Sequence, residues 1–223
     1  MNYFVTGTDT GVGKTLVSCA LLQAFAARGA RAAGMKPVAA GCDDGINEDV
    51  RQLRAAGNIP VDGGLLNPYG FEQAIAPHLA ARNAGVRIDL ARILAAYNEL
   101  AAMAEIVIVE GVGGFRVPLN ETQDGAELAR LLGLPVIMVV GLRLGCLNHA
   151  LLTADAVAAQ GLPLAGWVAN VLDEGMPALR ENIEALRERI AAPLLGIVPQ
   201  MARPDAQAAA SYLNLELLGS RKK

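Results

Sequence analysis

Residues 7–15 read Gly7-Thr8-Asp9-Thr10-Gly11-Val12-Gly13-Lys14-Thr15, and this stretch decides the fold. It follows residues 2–6, an aromatic and β-branched run typical of a strand, and precedes residues 16–28, whose apolar spacing is typical of a helix. In a phosphate-binding loop, which has this context, N–H groups of the loop and of the helix N-terminus converge on phosphate oxygens. We therefore predict that the stretch binds a nucleoside triphosphate, with Lys14 on the β- and γ-phosphates and Thr15 on Mg²⁺.

The loop departs from the general phosphate-loop pattern at one position. The pattern G-x-x-x-x-G-K-[ST] asks for glycine at position 8, whereas this chain has Thr8 and places Gly7 one residue earlier. Glycine relaxes the backbone at such a turn, so Thr8 predicts a loop that tolerates β-branching there. A glycine-rich turn that binds nothing is the alternative, but the Gly-Lys-Thr ending at residues 13–15 and the flanking elements favour a nucleotide site.

Length and composition favour one α/β domain, predicted to span residues 1–223. Apolar residues make up 53% of the chain and aromatic residues 4%, so we expect a core of Ala, Leu and Val. The formal net charge of −3 argues against binding to nucleic acid through bulk charge. The longest apolar stretch, residues 131–142, contains Gly133 and Pro135, so we expect no membrane span.

The N-terminal sequence and the cysteines predict a cytoplasmic protein. The chain enters its first strand without a basic region or a cleavage site. The three cysteines, Cys19, Cys42 and Cys146, lack metal-ligand spacing and are typical of reduced thiols.

Strand-like and helix-like segments alternate along the whole chain. Strands are predicted at residues 31–38, 106–110, 135–140, 164–170 and 194–198, and helices near residues 48–56, 88–104, 124–132, 147–160 and 176–191. Residues 57–85 are rich in Gly, Pro and Asn and are predicted as a long loop with a small helix. The alternation predicts a mainly parallel sheet with helices on both faces, the three-layer α/β fold of P-loop NTPases.

Three polar residues stand where predicted strands end, which is the edge where ligands gather in an open parallel sheet. Lys36 either neutralises charge on a transferring γ-phosphoryl group or is a surface lysine at a strand edge. Glu110, followed by glycines, is either the acidic magnesium partner of the loop or a solvated turn residue. Asn170 either pairs with a purine edge or forms a turn.

Two further segments carry residues whose role the spacing alone leaves open. Asp49 opens a helix after a flexible acidic loop with Asp43, Asp44 and Glu48, so this segment is either part of a magnesium site or solvated. Residues 145–150 follow a strand and begin a helix, whose free N–H groups are able to hold a carboxylate.

Several separated motifs together resemble the dethiobiotin synthetase family, and they occur in order over nearly the whole chain. They include Gly7-Thr8-Asp9-Thr10 with Gly13-Lys14-Thr15, Lys36-Pro37-Val38-Ala39, Asn67-Pro68-Tyr69, Pro77-His78, Glu110-Gly111 with Gly113-Gly114, Gly145-Cys146 with Asn148-His149-Ala150, and Gly166-Trp167-Val168-Ala169-Asn170. The Gly-Thr-Asp-Thr form of the loop, which departs from the general pattern, is the form that this family has.

The resemblance implies an ATP-dependent ligase that requires Mg²⁺ and uses 7,8-diaminopelargonate, CO₂ or bicarbonate, and ATP. One amine forms a carbamate, and the carbamate oxygen attacks the γ-phosphate to give a carbamic-phosphoric anhydride. The other amine then closes the ureido ring of dethiobiotin, and ADP and phosphate are released. The resemblance also implies a homodimer with the substrate site at the subunit interface.

The family's site residues carry over onto positions of this chain. Lys14 and Lys36 would be catalytic residues that hold phosphates, with Lys36 also beside the carbamate. The nucleotide would contact Asp9, Gly11, Val12, Gly13, Lys14, Thr15, Leu16, Glu110 and, through adenine, Asn170. Mg²⁺ would be held by Thr15, Asp49 and Glu110. The diamine would contact Thr10, Lys36 and Ala40, and its distal carboxylate would contact Cys146 and Asn148 of the partner subunit.

Two positions depart from many family members, which have Glu where this chain has Gly11 and Ser where it has Ala40. Neither departure removes a phosphate or metal group, so we expect activity with altered substrate affinity. The competing hypothesis is a switch ATPase of the partitioning or cell-division-positioning type. Such proteins carry a lysine at the position of Asp9, which argues against that class.

Overall fold

The computed structural model describes residues 1–218; residues 219–223, the end of the predicted domain, lie outside the described part. The strands are β1 (Tyr3–Gly7), β2 (Ala32–Met35), β3 (Val38–Ala40), β4 (Tyr69–Phe71), β5 (Ile106–Gly114), β6 (Val136–Leu142), β7 (Leu164–Val171) and β8 (Leu194–Val198). The α-helices are α1 (Lys14–Ala27), α2 (Glu48–Ala56), α3 (Gly63–Leu66), α4 (Pro77–Asn83), α5 (Leu90–Met103), α6 (Gly125–Leu132), α7 (Cys146–Ala159), α8 (Leu179–Arg189) and α9 (Ala206–Ala210), and a 3-10 helix covers Leu215–Leu218.

Six strands form one parallel sheet in the order β2-β5-β1-β6-β7-β8. Successive residues of a strand point to opposite faces, and β1 shows the consequence. Tyr3 and Val5 belong to a hydrophobic cluster that includes Leu21 of α1, whereas Phe4 belongs to a second cluster that includes Ile93 of α5. Helices therefore cover both faces of the sheet, which confirms the predicted three-layer α/β fold.

The prediction of one continuous strand over residues 31–38 is wrong. β2 ends at Met35, and β3 pairs instead with β4 in a separate two-stranded parallel sheet. Pro37 has no N–H for a continuing ladder. The backbone of Lys36 is held outside the main sheet, because its N–H donates to Leu66 O at 2.8 Å and its carbonyl accepts from Asn67 Nδ2 at 2.6 Å. The chain therefore leaves the main sheet at Lys36.

Strand β5 continues past its predicted end at Glu110. It stays paired with β1 as far as Gly114, with an irregular register between Val5 and Gly7. Glycine permits close packing here, since a Cβ on Gly111 would lie 3.1 Å from Cζ of a neighbouring phenylalanine. Glu110 thus lies inside the strand, where the regular pairing ends.

The predicted long loop, residues 57–85, contains more structure than expected. Helix α3 begins after Asp62, whose side chain accepts from Gly64 N at 2.8 Å. Helix α4 has Pro77 at its start, where proline is favourable. Strand β4 lies between these helices and has only three residues. An alternating apolar pattern cannot be recognised over so short a segment.

The acidic segment after β3 contains a tight turn. Asp43 and Ile46 exchange two backbone hydrogen bonds of 3.2 and 3.0 Å. The residues between them, Asp44 and Gly45, have φ values of 47° and 77°. Positive φ at both central positions is the type I′ pattern, for which Asp-Gly is a favoured pair. The segment predicted as an acidic loop therefore forms a hairpin turn that leads into α2.

The last described elements, α9 and the 3-10 helix, were not predicted. The side chain of Asp205 caps α9 by accepting from two backbone N–H groups at 2.9 and 3.0 Å. No helix within residues 1–218 is long and apolar enough to cross a membrane.

Candidate active site

Two glycines shape the loop between β1 and α1. A Cβ on Gly7 would lie 2.6 Å from Val12 Cγ2, so a larger residue does not fit without a shift. Gly13 directly precedes α1 with φ 88°, and a Cβ there would lie 2.2 Å from Nδ2 of Asn170. Glycine suits both demands, positive φ and close approach, at this position.

Thr8 stands where the general pattern has glycine, and Asp9 stands where switch ATPases have lysine. Thr8 lies outside the left-handed region and donates its N–H to Val139 O at 3.0 Å, which confirms that the loop tolerates a β-branched residue there. The carboxylate of Asp9 accepts from Thr10 N at 2.7 Å and forms an ion pair with Arg143. Arg143 directly follows β6, so this pair joins the loop to the neighbouring strand end.

Lys14 begins α1, and its side chain turns back over the loop. Its Nζ donates to the carbonyl oxygen of Asp9 at 3.0 Å. Burial, and then the like charge of Lys36, lowers the pKa of Lys14 to about 8. Within residues 1–218 no carboxylate forms an ion pair with Lys14. An anion bound in the loop would supply the partner that this ammonium lacks.

Lys36 is buried between two carboxylates. Its Nζ lies 2.5 Å from Oε1 of Glu110 and 3.0 Å from Oδ2 of Asp49, and Thr15 Oγ1 donates to the same Glu110 oxygen at 2.9 Å. Burial acts to lower the pKa of Lys36, but the charges of Glu110 and Asp49 outweigh it and raise this pKa above its ordinary value. Burial acts to raise the pKa of Asp49, and Lys36 outweighs it and lowers this pKa. Lys36 and Asp49 are therefore both charged at neutral pH.

The same cluster offers oxygen donors that suit Mg²⁺. Glu110 is fully buried, yet its Oε2 has no hydrogen-bond partner. Such an oxygen is costly unless a cation or ordered water faces it. Mg²⁺ at nucleotide sites takes one or two carboxylates and completes its shell with phosphate and water oxygens, a pattern that Thr15, Asp49 and Glu110 fit. Within the described chain, no group of three or more His, Cys, Asp or Glu side chains is placed to hold a metal ion.

A cavity of about 800 Å³ brings these groups together. Its polar lining comprises Thr10, Lys14, Thr15, Lys36, Asn47 and Asp49. Its apolar lining comprises Ala39, Ala40, Ala74, Ile75, Ala76, Pro77, Val112 and Val117. The cavity can therefore hold a charged phosphate chain beside an aliphatic chain.

The predicted site residues fall into two groups in the structure. The cavity is lined by Thr10, Gly11, Gly13, Lys14, Thr15, Lys36, Ala40 and Asp49, and Glu110 contacts it through Lys36 and Thr15. The others lie around it. Asp9 faces Arg143, Leu16 is half-buried on α1, and buried Asn170 donates its Nδ2 to Val12 O at 2.9 Å. Cys146, which is buried, and Asn148, which is exposed, begin α7 and do not line this cavity.

Two polar residues near the cavity were missed by the sequence analysis. Arg143 follows a strand end, so the rule that selected Lys36 and Asn170 would also have selected it. Asn47 precedes α2, and its side chain accepts from Asp49 N at 2.9 Å, the signature of a helix N-cap. The acidic residues around Asn47 indicate a charged loop, and this pattern obscures the capping signal.

Known proteins resemble this chain at two levels, some in fold alone and others along nearly the whole sequence. A family model described as an AAA domain matches residues 1–208. The Aquifex aeolicus MinC:MinD cell division protein complex contains a chain that is 14% identical, with a TM-score of 0.58 over 100% of this chain and 97% of that one. MinD of Pyrococcus horikoshii, solved with Mg-ADP, is 15% identical, with a TM-score of 0.53 over 97% of this chain and 89% of that one. These structures share the fold.

Curated relatives share far more sequence. The ATP-dependent dethiobiotin synthetase BioD of Nitrosospira multiformis is 56% identical over 97% of this chain and 96% of that protein. The protein of the same name from Aromatoleum aromaticum is 58% identical over 94% of this chain and 95% of that protein. With matches of this identity along nearly its full length, the chain belongs to the ATP-dependent dethiobiotin synthetases, a family of ligases.

Proposed function

We propose that this chain joins 7,8-diaminopelargonate and CO₂ into dethiobiotin through an N-carbamate and a carbamic-phosphoric anhydride, with ATP converted to ADP and phosphate. The position of Lys36 carries the proposal. Its Nζ contacts Glu110 at 2.5 Å and Asp49 at 3.0 Å, in the wall of a cavity that also has an apolar side. A cation there is able to accompany a phosphoryl group from the nucleotide to an organic acceptor.

The nucleotide phosphates lie against the loop between β1 and α1 in this proposal. The backbone N–H groups of residues 9–16 contact phosphate oxygens, and Lys14 exchanges the carbonyl of Asp9 for the β- and γ-phosphates. Asn170 keeps its Nδ2 on the loop, and its Oδ1 accepts from the adenine amino group. The low pKa of Lys14 supports this assignment, because burial and the charge of Lys36 disfavour the ammonium and a bound phosphate would favour it.

Mg²⁺ would be held by Thr15, Asp49 and Glu110. When bound, the ion supplies positive charge that stabilises the transferring phosphoryl group. The buried and unpartnered Oε2 of Glu110 supports this assignment. Asp49 is paired with Lys36 in the present structure, so it would share its carboxylate between the ion and the lysine.

The diamine would occupy the other side of the cavity. Thr10, Lys36 and Ala40 contact its amines and the carbamate, and the apolar wall that includes Ile75 and Val117 contacts its alkyl chain. Apolar side chains at this wall support the assignment, because they remove the alkyl chain from water.

The distal carboxylate of the diamine would be bound by a second copy of the chain. Cys146 and Asn148 of the partner subunit are assigned this role, at the N-terminus of α7. Leu144 and Leu152, beside that terminus, are 92% and 59% exposed. Exposed apolar side chains of this kind support a subunit interface, and hence a homodimer.

The proposed reaction balances in three steps. One amine adds to CO₂ and loses a proton, which gives the carbamate. A carbamate oxygen attacks the γ-phosphorus, the bond to the β,γ-bridging oxygen breaks, and ADP leaves. The second amine attacks the carbonyl carbon and loses its proton, and phosphate leaves with the bonding electron pair as the ring closes. Lys14 and Lys36 neutralise charge on the phosphate oxygens, and confinement of both amines makes ring closure unimolecular.

We also propose that residues 1–223 form one domain and that the protein acts in the cytoplasm. Hydrophobic clusters on both faces of a single six-stranded sheet support one domain. Three free, buried cysteines support a reducing compartment.

The test is a reaction with purified protein, ATP, Mg²⁺, the diamine and isotopically labelled bicarbonate, followed by mass spectrometry. ADP release that requires the diamine, together with labelled dethiobiotin, is expected. Slow ATP hydrolysis that is indifferent to the diamine would contradict the proposal and favour a switch ATPase.

A further inference from the structure

Asn47 connects two walls of the cavity through one side chain. Its Oδ1 accepts from Asp49 N at 2.9 Å. Its Nδ2 donates to Ala40 O at 3.0 Å and to Gly41 O at 3.2 Å. One donor and two acceptors on the backbone match the two ends of the amide, so only one orientation of the amide satisfies all three contacts.

The two walls belong to different parts of the proposed site. Asp49 stands on the phosphate side, where it pairs with Lys36 at 3.0 Å. Ala40 ends β3 and stands on the side assigned to the diamine. Asn47 itself lines the cavity together with both residues. The amide of Asn47 therefore joins the N-terminus of α2 to the end of β3 by hydrogen bonds.

We propose that Asn47 is a positioning residue that couples nucleotide binding to diamine binding. Mg²⁺ and nucleotide would give the Asp49 carboxylate a second partner beside Lys36, and the N-terminus of α2 would shift as this carboxylate adjusts to both. Asn47 passes this shift to Ala40 and Gly41, so the diamine wall reaches its binding position when the nucleotide is in place. The inference rests on the proposed function and deepens it.

Helix capping alone does not require this arrangement. An N-cap needs only an oxygen acceptor, and Ser serves as well as Asn in that position. The two bonds from Nδ2, to Ala40 O and to Gly41 O, are not part of the cap. The variant Asn47→Ser keeps a capping oxygen and lacks the amide group that reaches Ala40 O and Gly41 O.

Asn58 provides a matched control at the other end of α2. Its Oδ1 accepts from Ala32 N at 2.8 Å, and its Nδ2 donates to Ala30 O at 2.9 Å. It bridges backbone groups as Asn47 does, but at the start of β2, on the edge of the sheet away from the cavity. The variant Asn58→Ser therefore loses a similar bridge without touching the site.

The experiment measures the dissociation constant of the diamine by calorimetry, without nucleotide and with a Mg²⁺ complex of a non-hydrolysable ATP analogue. We expect the analogue to tighten diamine binding by about fivefold or more in the unchanged chain and in Asn58→Ser. We expect this ratio to fall close to one in Asn47→Ser, and in Asn47→Asp, which keeps the shape and loses both donors. Thermal unfolding of the variants checks that all three remain folded.

Two outcomes would overturn the inference. One is a ratio close to one in the unchanged chain, and the other is an undiminished ratio in both Asn47 variants. Failure of the proposed function looks different, because the unchanged chain would then make no labelled dethiobiotin. A chain that makes dethiobiotin and whose Asn47 variants keep the full ratio refutes the coupling role alone.

Discussion

The loop of residues 7–15 and the segment of residues 36–41 each bring one lysine to the same cavity, in contrasting electrostatic surroundings. The Lys14 ammonium donates to a backbone carbonyl, and burial followed by the charge of Lys36 lowers its pKa to about 8. Lys36 is more deeply buried, yet Glu110 and Asp49 outweigh that burial and raise its pKa. Burial alone therefore does not decide the state of a lysine. Lys14 would gain an anionic partner when phosphate binds, whereas the charge of Lys36 is already neutralised by two carboxylates.

The largest expected difference between the two lysines is in stability. Lys36→Met leaves Glu110 buried without its cation and should lower the free energy of unfolding by about 3–5 kcal/mol. Lys14→Met removes a poorly solvated ammonium that has no carboxylate partner, so its change should stay within about 1 kcal/mol. Urea unfolding of the protein without ligands measures both.

A double variant supplies the control. Lys36→Met combined with Glu110→Gln removes the uncompensated charge and should recover much of the lost stability. Equal losses in the two single variants would contradict the expected cost of leaving the Glu110 charge buried without Lys36.

The two lysines should also differ in their response to pH. At pH 8 about half of the Lys14 side chains are neutral in the free protein, and bound phosphates favour the charged form. Nucleotide binding then takes up a proton, so affinity should fall as pH rises above 8, by up to about tenfold per pH unit. Calorimetry with ADP and no metal, in buffers of different ionisation enthalpy, measures both effects. Lys14→Met should abolish the proton uptake, and uptake that persists in that variant would assign it to another group.

A smaller effect is expected where the loop meets the end of β6. Arg143→Leu leaves the Asp9 carboxylate close to the bound phosphates and should weaken ADP binding by about fivefold at most, because the ion pair is exposed. The loss should shrink at high salt. Adding Asp9→Asn should restore affinity, and an unrestored double variant would show that Arg143 contacts the nucleotide directly.

The smallest effect is expected at the end of the second segment. Ala40→Ser adds a hydroxyl to the diamine wall and should change the KM for the diamine by about threefold, the scale of one hydrogen bond to a neutral partner. Nucleotide affinity should stay unchanged in the same variant. A change confined to nucleotide affinity would move Ala40 to the phosphate side.

The fold was predictable where a local pattern carries it, and the site was predictable where residues follow strands. Residues 106–109 form a strand because they are apolar throughout, and Lys36 meets Glu110 because β2 and β5 run parallel and pair Met35 with Val109, the residues just before them. The split after β2 was not predictable, because it depends on Leu66 and Asn67, which lie far along the chain. Asn47 was missed although its partners Ala40 and Gly41 are close in sequence, because its side chain meets them only once the turn before α2 has formed.

The separation of β3 and β4 from the main sheet has a consequence for how this protein can be altered. The six-stranded sheet carries the loop assigned to the phosphates, while the segment that contains the small sheet carries much of the wall assigned to the diamine. The stretch between β2 and β5 therefore works as a module. An engineer seeking a new acceptor specificity should exchange residues within 38–40 and 69–83, keep Asp49, and leave the large sheet untouched.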